Sequence, residues 1–474
     1  MPAPVLPGPP AAALAEGFER IREEMRIPAA HPLDALAEAA AAAARGPAPG
    51  ARVDRRHLPL VTIDPAGSRD LDQAVAVERR GDGFRVRYAI ADVAAFVPPS
   101  GPLDAATRER GVTVYMPDRR SPLHPDALGE GAASLLPGQE RAALLWTIDL
   151  DAEGREGAVT LERATVRSRR ALSYPEAQAA IDGGGDPALV ALRDVGLLRL
   201  AREAERGGVS LTVPAQEAVR DGDRYALRYE VPLPVEDWNA QISLLAGICA
   251  ARIMIDGGVG LFRTLDPPEP RALEGLRHSA RALGVDWPAA ASYAQVVRGL
   301  DPARPGHAAF AVRASRALGG AGYAAWRARD GEPPAHAAIA APYAHVTAPL
   351  RRLADRAANE VVLALAAEAP VPAWAREALP AMPDVMRETT ARARAAERAA
   401  VDYVEAVVLA GRAGEVFDAV VVDVRDDRPV VQLAAPAVLA TLDRAGPRPG
   451  DALRVRLVRV DPGARAVVLT PVTG

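Results

Sequence analysis

The chain has 474 residues, a formal net charge of −4 and an apolar content of 49%, which predicts a globular protein of about three domains. The small negative charge argues against nonspecific coating of nucleic acid, and the absence of a charge-free apolar run of about 18 residues argues against a membrane span. The N-terminus lacks the pattern of a secretory signal, and the single cysteine, Cys249, rules out an internal disulfide. We therefore expect a cytoplasmic monomer that does not bind a membrane.

The basic residues are all arginine, 57 in total. A GC-rich genome explains this composition, together with the excess of Ala, Gly and Pro. Whatever its cause, every cationic side chain that contacts a phosphate must be a guanidinium, which binds bidentately and keeps its proton.

The first 50 residues are predicted to form a small helical module. Residues 1–10 are rich in Pro and expected to be disordered, whereas residues 11–25 and 32–44 have helical spacing of apolar residues. A Pro- and Gly-rich linker follows at residues 46–50. A helix-turn-helix and a simple packing appendage both fit this pattern.

Residues 62–74 carry the most informative motif, T-I-D-P-A-G-S-R-D-L-D-Q-A. An apolar run ends on Asp64, a turn follows, and Asp70 and Asp72 then lie on one side of the chain if that segment is extended. Three converging carboxylates repel one another unless a cation lies among them, and hard oxygen ligands suit Mg²⁺ or Mn²⁺. A solvated acidic turn is the alternative interpretation.

Residues 51–370 are predicted to form a mixed α/β domain. Alternating apolar residues indicate a hairpin over residues 74–78 and 84–90, and helical patterns cover residues 187–206, 236–256, 272–283 and 350–367. The first helix has Asp186 as its N-cap, Pro187 at its first position and Gly207 after its end.

The C-terminal part divides into a helical extension, residues 371–412, and a strand-rich unit, residues 413–474. Period-two alternation predicts strands over residues 417–424, 429–433, 453–460 and 466–470. Short strands in so small a unit indicate a five-stranded OB-type barrel, although a small sandwich would alternate similarly.

A second motif, Y-A-H-V-T-A-P-L-R-R-L-A-D, occupies residues 343–355. It places Arg351 and Arg352 just after Pro349, where the predicted helix begins. A helix N-terminus combined with guanidinium groups is suited to holding a phosphate. Alone, the arginine pair is more typical of a solvated helix face than of a phosphate site.

Taken together, these segments resemble the ribonuclease II/R family of exoribonucleases, over about 350 residues. Three blocks carry the resemblance. Residues 62–72 are similar to the family's T-I-D-x5-D-x-D-D-A, with A-I-A-D-V following at residues 89–93. The second block, residues 110–117, reads R-G-V-T-V-Y-M-P and is followed by S-P-L-H-P and S-L-L. The third block, residues 347–352, reads T-A-P-L-R-R and is similar to the family's T-S-P-I-R-R/K-Y-x-D.

The resemblance implies a multidomain α+β protein with a catalytic domain of the RNB type and a C-terminal OB-fold domain that binds RNA. It further implies a hydrolytic, processive 3′→5′ exoribonuclease that acts on single-stranded RNA with a free 3′ end and releases nucleoside 5′-monophosphates. Mg²⁺ is the expected cofactor, with Mn²⁺ as the alternative.

The resemblance also implies roles for individual residues. Asp64, Asp70 and Asp72 would hold the metal and the scissile phosphate, and Arg351 would contact that phosphate. Tyr115 would stack on the terminal base, and Glu397, within A-A-E-R, would press on the terminal nucleoside from the other side.

Three further residues are expected to contact RNA or the metal. Arg352 is expected to contact RNA beside Arg351. Phe262 offers a ring for stacking on bases, although core packing is the more common role of such a residue. Gln73 stands where the family has an aspartate; its amide oxygen is a possible metal ligand but brings no negative charge.

The departures from the family pattern leave a second function open. Because Gln73 replaces one of four carboxylates, the chain is alternatively a weakened or inactive relative that binds RNA without cutting it. The paired cold-shock domains usual upstream of the family's catalytic domain do not fit into 50 residues, so the helical module is expected in their place.

Overall fold

The computed structural model describes residues 11–209, 215–221, 224–230, 232–301, 304–425 and 427–472; residues 1–10, for which the sequence predicts disorder, lie outside them. In the described residues the chain forms twelve α-helices. These are α1 (Ala11–Glu24), α2 (Leu33–Arg45), α3 (Pro102–Arg110), α4 (Tyr174–Asp182), α5 (Pro187–Arg206), α6 (Pro234–Asp256), α7 (Pro270–Ala282), α8 (Tyr293–Arg298), α9 (Pro305–Ala317), α10 (Leu353–Ala366), α11 (Ala373–Ala378) and α12 (Met382–Leu409).

The same residues form eighteen β-strands. These are β1 (Val53–Asp54), β2 (Val61–Asp64), β3 (Gln73–Arg80), β4 (Gly83–Ala91), β5 (Val114–Tyr115), β6 (Arg120–Ser121), β7 (Glu140–Leu150), β8 (Glu156–Arg167), β9 (Arg170–Ser173), β10 (Ala215–Asp221), β11 (Arg224–Glu230), β12 (Val259–Thr264), β13 (Gly322–Arg327), β14 (Val416–Arg425), β15 (Arg428–Leu433), β16 (Leu439–Leu442), β17 (Ala452–Asp461) and β18 (Ala466–Pro471).

A seven-stranded sheet, in the order β1-β8-β7-β4-β3-β2-β9, forms the centre of the larger domain. The predicted hairpin is confirmed as β3 and β4, which pair antiparallel from Gln73 opposite Ile90 to Arg80 opposite Gly83. On β3, Val75 and Val77 face one core while Ala74 and Ala76 face the other, as the two-residue period of a strand requires. The sheet is therefore covered on both faces, which fixes the strand ends that carry the acidic motif.

The helix α6 packs in the core against the face of the sheet that carries the valines. By length and apolar composition it is the one described helix that could cross a membrane, with a mean hydropathy of 1.3 over 18 residues. In the structure, Ile242, Leu245 and Met254 have no exposed surface. Core packing accounts for its apolar composition.

The two N-terminal helices pack against the body of the protein. Phe18 of α1 makes edge contacts with Tyr225 and Tyr403, with ring centroids 5.6 and 5.7 Å apart, respectively. Arg22 is buried and pairs with Asp118 at 2.5 Å. These contacts favour the packing-appendage interpretation over a helix-turn-helix with a free recognition helix.

The C-terminal strands form a closed barrel in the order β14-β15-β16-β18-β17. The four predicted strands are confirmed, and the short β16 completes the five. The long helix α12 connects the barrel to the catalytic domain. Its Glu405 is buried and accepts hydrogen bonds from Leu439 N at 2.8 Å and from Gln216 Nε2 at 2.5 Å.

Replacing Gly247 by Ala is expected to destabilise the protein. The added Cβ would lie 2.1 Å from Tyr343 Cε2 and 2.6 Å from the backbone oxygen of Ala344. Overpacking of this kind costs about 1–3 kcal/mol, and urea unfolding measures the loss. The matched control is Gly275→Ala in α7, where no atom lies within 4 Å and a small gain in helix stability is expected. A Gly247→Ala variant as stable as the wild type would contradict the close packing.

Protonation of Glu405 is expected to stabilise the junction between α12 and the barrel. Burial raises the pKa of Glu405 from 4.5 to about 7, so between these pH values the folded state binds the proton more tightly than the unfolded chain. The free energy of unfolding should therefore fall as the pH rises from 5 to 8, by on the order of 3 kcal/mol from this group.

Glu405→Gln keeps the acceptor oxygen and removes the charge, so this variant should lose less stability over the same pH range. Thermal unfolding at both pH values measures the difference. Glu388→Gln, on an exposed position of the same helix, is the control and should follow the wild type. Parallel pH profiles for the Glu405→Gln variant and the wild type would contradict this prediction.

Candidate active site

Asp64 ends strand β2, beside the turn that leads to the other two acidic residues. Gly67 has a φ of +82° in this turn, which a residue with a side chain rarely adopts. Within the part of the chain that the structure describes, Asp64 Oδ2 is buried and has no hydrogen-bond partner. Burial raises the pKa of Asp64 to about 6.

The segment that carries Asp70 and Asp72 is anchored through the residue between them. Leu71 N donates to Ser134 Oγ at 2.9 Å, and that hydroxyl donates to the Arg69 carbonyl at 2.6 Å. The Leu71 side chain is buried. Asp70 pairs with Arg120 at 2.5 Å, a partner that the sequence does not indicate.

Asp72 connects the acidic motif to the arginine motif. Its Oδ1 accepts a hydrogen bond from Leu350 N at 2.7 Å, and its Oδ2 lies 3.5 Å from Arg351 Nε. Only 3% of Asp72 is exposed, whereas 45% of the Arg351 side chain is exposed. The guanidinium therefore faces solvent above a buried carboxylate, and an incoming phosphate has access to it.

The loop before α10 is held by backbone contacts on several sides. Thr113 N donates to the Arg351 carbonyl at 3.0 Å, and His124 Nε2 lies 3.2 Å from the Pro349 carbonyl. The predicted helix start at residue 350 is wrong, since α10 begins at Leu353. The backbone of residues 350–352 is bound to other segments, so Arg351 sits on a fixed loop rather than in the first turn of the helix.

The site fits a divalent cation in its chemistry. Burial raises the pKa of Asp72 to about 8, against the lowering effect of Arg351. Together with the unpartnered oxygen of Asp64, this marks carboxylates that a cation would stabilise. Over the described ranges, however, no three acidic, His or Cys side chains lie close enough to hold a metal ion. The three-carboxylate metal site therefore stays a prediction.

Gln73 is bound to two hydroxyl groups. Its Oε1 accepts a hydrogen bond from Tyr88 Oη at 2.5 Å and one from Ser243 Oγ at 3.4 Å. Its amide oxygen therefore already has two donors, and metal ligation by Gln73 stays a prediction. Nothing in the local sequence around Gln73 indicates the contact with Ser243, which comes from α6.

Tyr115 and Glu397 lie together beside the acidic residues. Tyr115 N donates to Glu397 Oε1 at 3.2 Å, and its hydroxyl lies 3.3 Å from Asp70 Oδ2. The Tyr115 side chain is 46% exposed. Burial and the Asp70 charge raise the pKa of Tyr115, while Arg351 lowers it. The structure thus brings these two predicted RNA contacts to the same place as Asp70.

The remaining two predicted RNA contacts have structural partners. Arg352 forms a two-pronged pair with the buried Asp355, at 3.0 Å from Nε and 2.8 Å from Nη2, so its contact with RNA stays a prediction. The prediction that Phe262 stacks on RNA is wrong. It has no exposed surface and packs edge-on against Trp326 in the core.

Sequence reasoning missed the role of Asp355, the last residue of the second motif. This carboxylate is fully buried, and its Oδ2 accepts a hydrogen bond from Ala348 N at 2.7 Å. Asp355 therefore holds the loop at Ala348, whereas Asp72 holds the same loop at Leu350. The signal was present, because an acidic residue three positions after Arg352 can pair with it.

The comparisons with known proteins agree with this arrangement. The sequence profile of the RNB domain matches residues 52–368, and that of the RNase II-type exonuclease C-terminal S1 domain matches residues 415–472. The chain belongs to the ribonuclease II/R (RNB) family. The predicted multidomain α+β fold, with a helical N-terminal region and a C-terminal OB-type barrel, is thereby confirmed.

Ribonuclease R of Escherichia coli is 31% identical over 337 residues, which cover 67% of this chain and 40% of that protein. The chain spans about two fifths of the length of the first curated relatives it matches. The structure of Mycoplasma genitalium RNase R in complex with ribose methylated single-stranded RNA has a TM-score of 0.85 at 20% identity, covering 96% of this chain and 78% of that one. Yeast Ssd1, described as a pseudonuclease, has a TM-score of 0.67 at 17% identity, covering 89% and 53%. These two structures show the shared fold.

Replacing Asp355 by Asn is expected to loosen the loop that carries Arg351. The change keeps the shape but leaves the Arg352 guanidinium without its buried counter-charge, a loss of about 3 kcal/mol. Chemical unfolding measures it. The control is Asp384→Asn on α12, which breaks an exposed pair with Arg387 and should change stability by less than about 1 kcal/mol. Equal stability of the two variants would contradict the role of Asp355 in holding the loop before α10.

Proposed function

We propose that the chain is a hydrolytic, divalent-metal-dependent exoribonuclease. It removes nucleoside 5′-monophosphates processively from the free 3′ end of single-stranded RNA. The observation that supports this best is the contact of Asp72 with both Leu350 N and Arg351. It puts a buried carboxylate of the acidic motif beside a solvent-facing guanidinium, an arrangement suited to phosphodiester hydrolysis.

Asp64, Asp70 and Asp72 are the residues that would hold the cation. Mg²⁺ is the proposed ion, and Mn²⁺ satisfies the same oxygen ligands. When bound, the cation lowers the pKa of a water molecule and neutralises charge on the phosphate oxygens.

The other side chains bind and orient the RNA end. Arg351 donates hydrogen bonds to the scissile phosphate and stabilises the charge that develops on it. Tyr115 offers an exposed ring to the terminal base, and base–aromatic stacking contributes about 1–3 kcal/mol per base. Glu397, held by Tyr115 N, closes the opposite side of the terminal nucleoside.

The barrel and the cellular setting complete the proposal. Arg454, Arg456 and Arg459 are exposed on β17, where guanidinium groups can follow an RNA backbone. We further propose that the protein acts as a monomer in the cytoplasm.

The rival function is RNA binding without cleavage, which Gln73 favours because its neutral amide replaces a carboxylate of the family motif.

RNA labelled at the 5′ end separates the two functions. With Mg²⁺ or Mn²⁺, the wild-type protein should shorten this single-stranded substrate from its 3′ end. From a uniformly labelled substrate it should release 5′-monophosphates, identified by thin-layer chromatography. With excess chelator, cleavage should stop. Intact RNA with both metals, despite tight binding, would support the rival function.

Replacing Asp72 by Asn should lower the cleavage rate by about 100-fold or more, because it removes the charge of a proposed metal ligand. RNA affinity, measured in chelator, should change little, since the Asn oxygen still accepts the hydrogen bond from Leu350 N. The control is Asp82→Asn in the exposed turn before β4, which should cleave like the wild type. Full activity of the Asp72→Asn variant would overturn the assignment of the site.

A further inference from the structure

A basic pocket lies between the paired strands β12 and β13 and the first half of α12. Its volume is about 240 Å³. We call it the arginine pocket, and its lining includes Arg263, Tyr323, Met386, Arg387, Thr390 and Arg394. Three guanidinium groups around one small pocket create a positive potential that attracts anions.

Two of these guanidinium groups form no ion pair among the residues that the structure describes. Arg263 lies over the Tyr323 ring, 4.7 Å from its centroid, and donates to the Gly322 carbonyl at 3.1 Å. In the described ranges no carboxylate forms an ion pair with Arg263 or Arg394, whereas Arg387 pairs with the exposed Asp384. Burial lowers the pKa of Arg263; Tyr323 opposes this shift, and the positive charge of Arg394 adds to it. An anion in the pocket would relieve this repulsion.

The arginine pocket adjoins the candidate active site on two sides. Arg352, the neighbour of Arg351 in the chain, acts electrostatically on both Arg263 and Tyr323. On α12, Arg394 lies one turn before Glu397, the residue that accepts the hydrogen bond from Tyr115 N. The pocket therefore lies next to the place where the terminal nucleoside would be bound.

We propose that the arginine pocket binds the phosphate group of a nucleoside 5′-monophosphate after its release from RNA, an inference that rests on the proposed function. A pocket of 240 Å³ is smaller than the roughly 300–1,000 Å³ of sites that enclose whole ligands. It suits a phosphate with its ribose rather than a stretch of several nucleotides. A terminal phosphate carries about −1.5 to −2 charges at pH 7, more than a backbone diester, and so matches the clustered arginines better.

Calorimetric titration with 5′-AMP in the presence of chelator tests the proposal without any cleavage. We expect the wild-type protein to bind 5′-AMP and to bind adenosine far more weakly. Arg394→Ala, at an exposed position of α12, should raise the Kd for 5′-AMP by about 10-fold, the loss of one charge-assisted hydrogen bond. The matched control is Arg398→Ala, one turn further along α12 and paired with Asp402, which should change the Kd by less than about 2-fold. Thermal unfolding should show all variants folded.

Uncleaved single-stranded RNA, titrated in the same chelator by fluorescence anisotropy, distinguishes the product from the RNA backbone. Its affinity should be nearly equal for the Arg394→Ala variant and the wild type. Weakened RNA binding with unchanged 5′-AMP binding would assign the pocket to the backbone and overturn the proposal, as would a wild-type protein that does not bind 5′-AMP. A protein that cleaves RNA but fails this titration keeps the proposed function and loses only the pocket. One that passes it without cleaving RNA loses the proposed function and, with it, the product role of the pocket, and keeps only the binding of a nucleoside 5′-monophosphate.

Discussion

The hydrogen bond from Leu350 N to Asp72 is the contact on which the rest of the site depends. It joins two segments 278 positions apart in the chain and brings Arg351 to within 3.5 Å of the same carboxylate. A buried carboxylate is unfavourable unless donors or cations surround it. The pKa of Asp72 rises to about 8 even with these donors, so one amide and one guanidinium do not fully compensate its burial. This remaining deficit is the physical reason to place a cation there.

The fold keeps this contact in position because other residues hold the two segments that carry Asp72 and Leu350. On the acidic side, Ser134 bonds to the backbone on both sides of Asp70, and the covered sheet fixes the end of β2. On the arginine side, the buried Asp355 holds Ala348 N and Arg352. Exposed functional groups thus project from segments that have little freedom to move, which is the arrangement that preorganised catalysis requires.

Local signals in the sequence predict much of the secondary structure. Helix α5 has the predicted bounds because Asp186 caps it and Gly207 ends it in the left-handed conformation. Strand β16 was not predicted, because its four residues are too few to show a clear alternation of apolar and polar side chains. The start of α10 was also mispredicted, since it depends on residues that are distant in the chain. For Phe262, the core packing favoured over base stacking is confirmed.

The candidate site could be predicted in part. Residue types and spacing indicated the acidic motif and the arginine pair, and family resemblance supplied Tyr115 and Glu397. The partners that hold them, including Arg120 on Asp70 and Ser243 near Gln73, come from segments that only the folded chain brings together. The fixed loop before α10, and the contacts of Asp72 and Asp355 that hold it, are properties of the tertiary structure, so no local pattern could reveal them fully.

Crystallography with Mn²⁺ and a non-hydrolysable RNA, using anomalous scattering to locate the metal, tests the central claim most directly. The account predicts an Mn²⁺ peak bonded to oxygens of Asp64 and Asp72, with the phosphate beside it in contact with Arg351. A peak elsewhere on the protein, or a terminal phosphate bound away from Arg351, would contradict it.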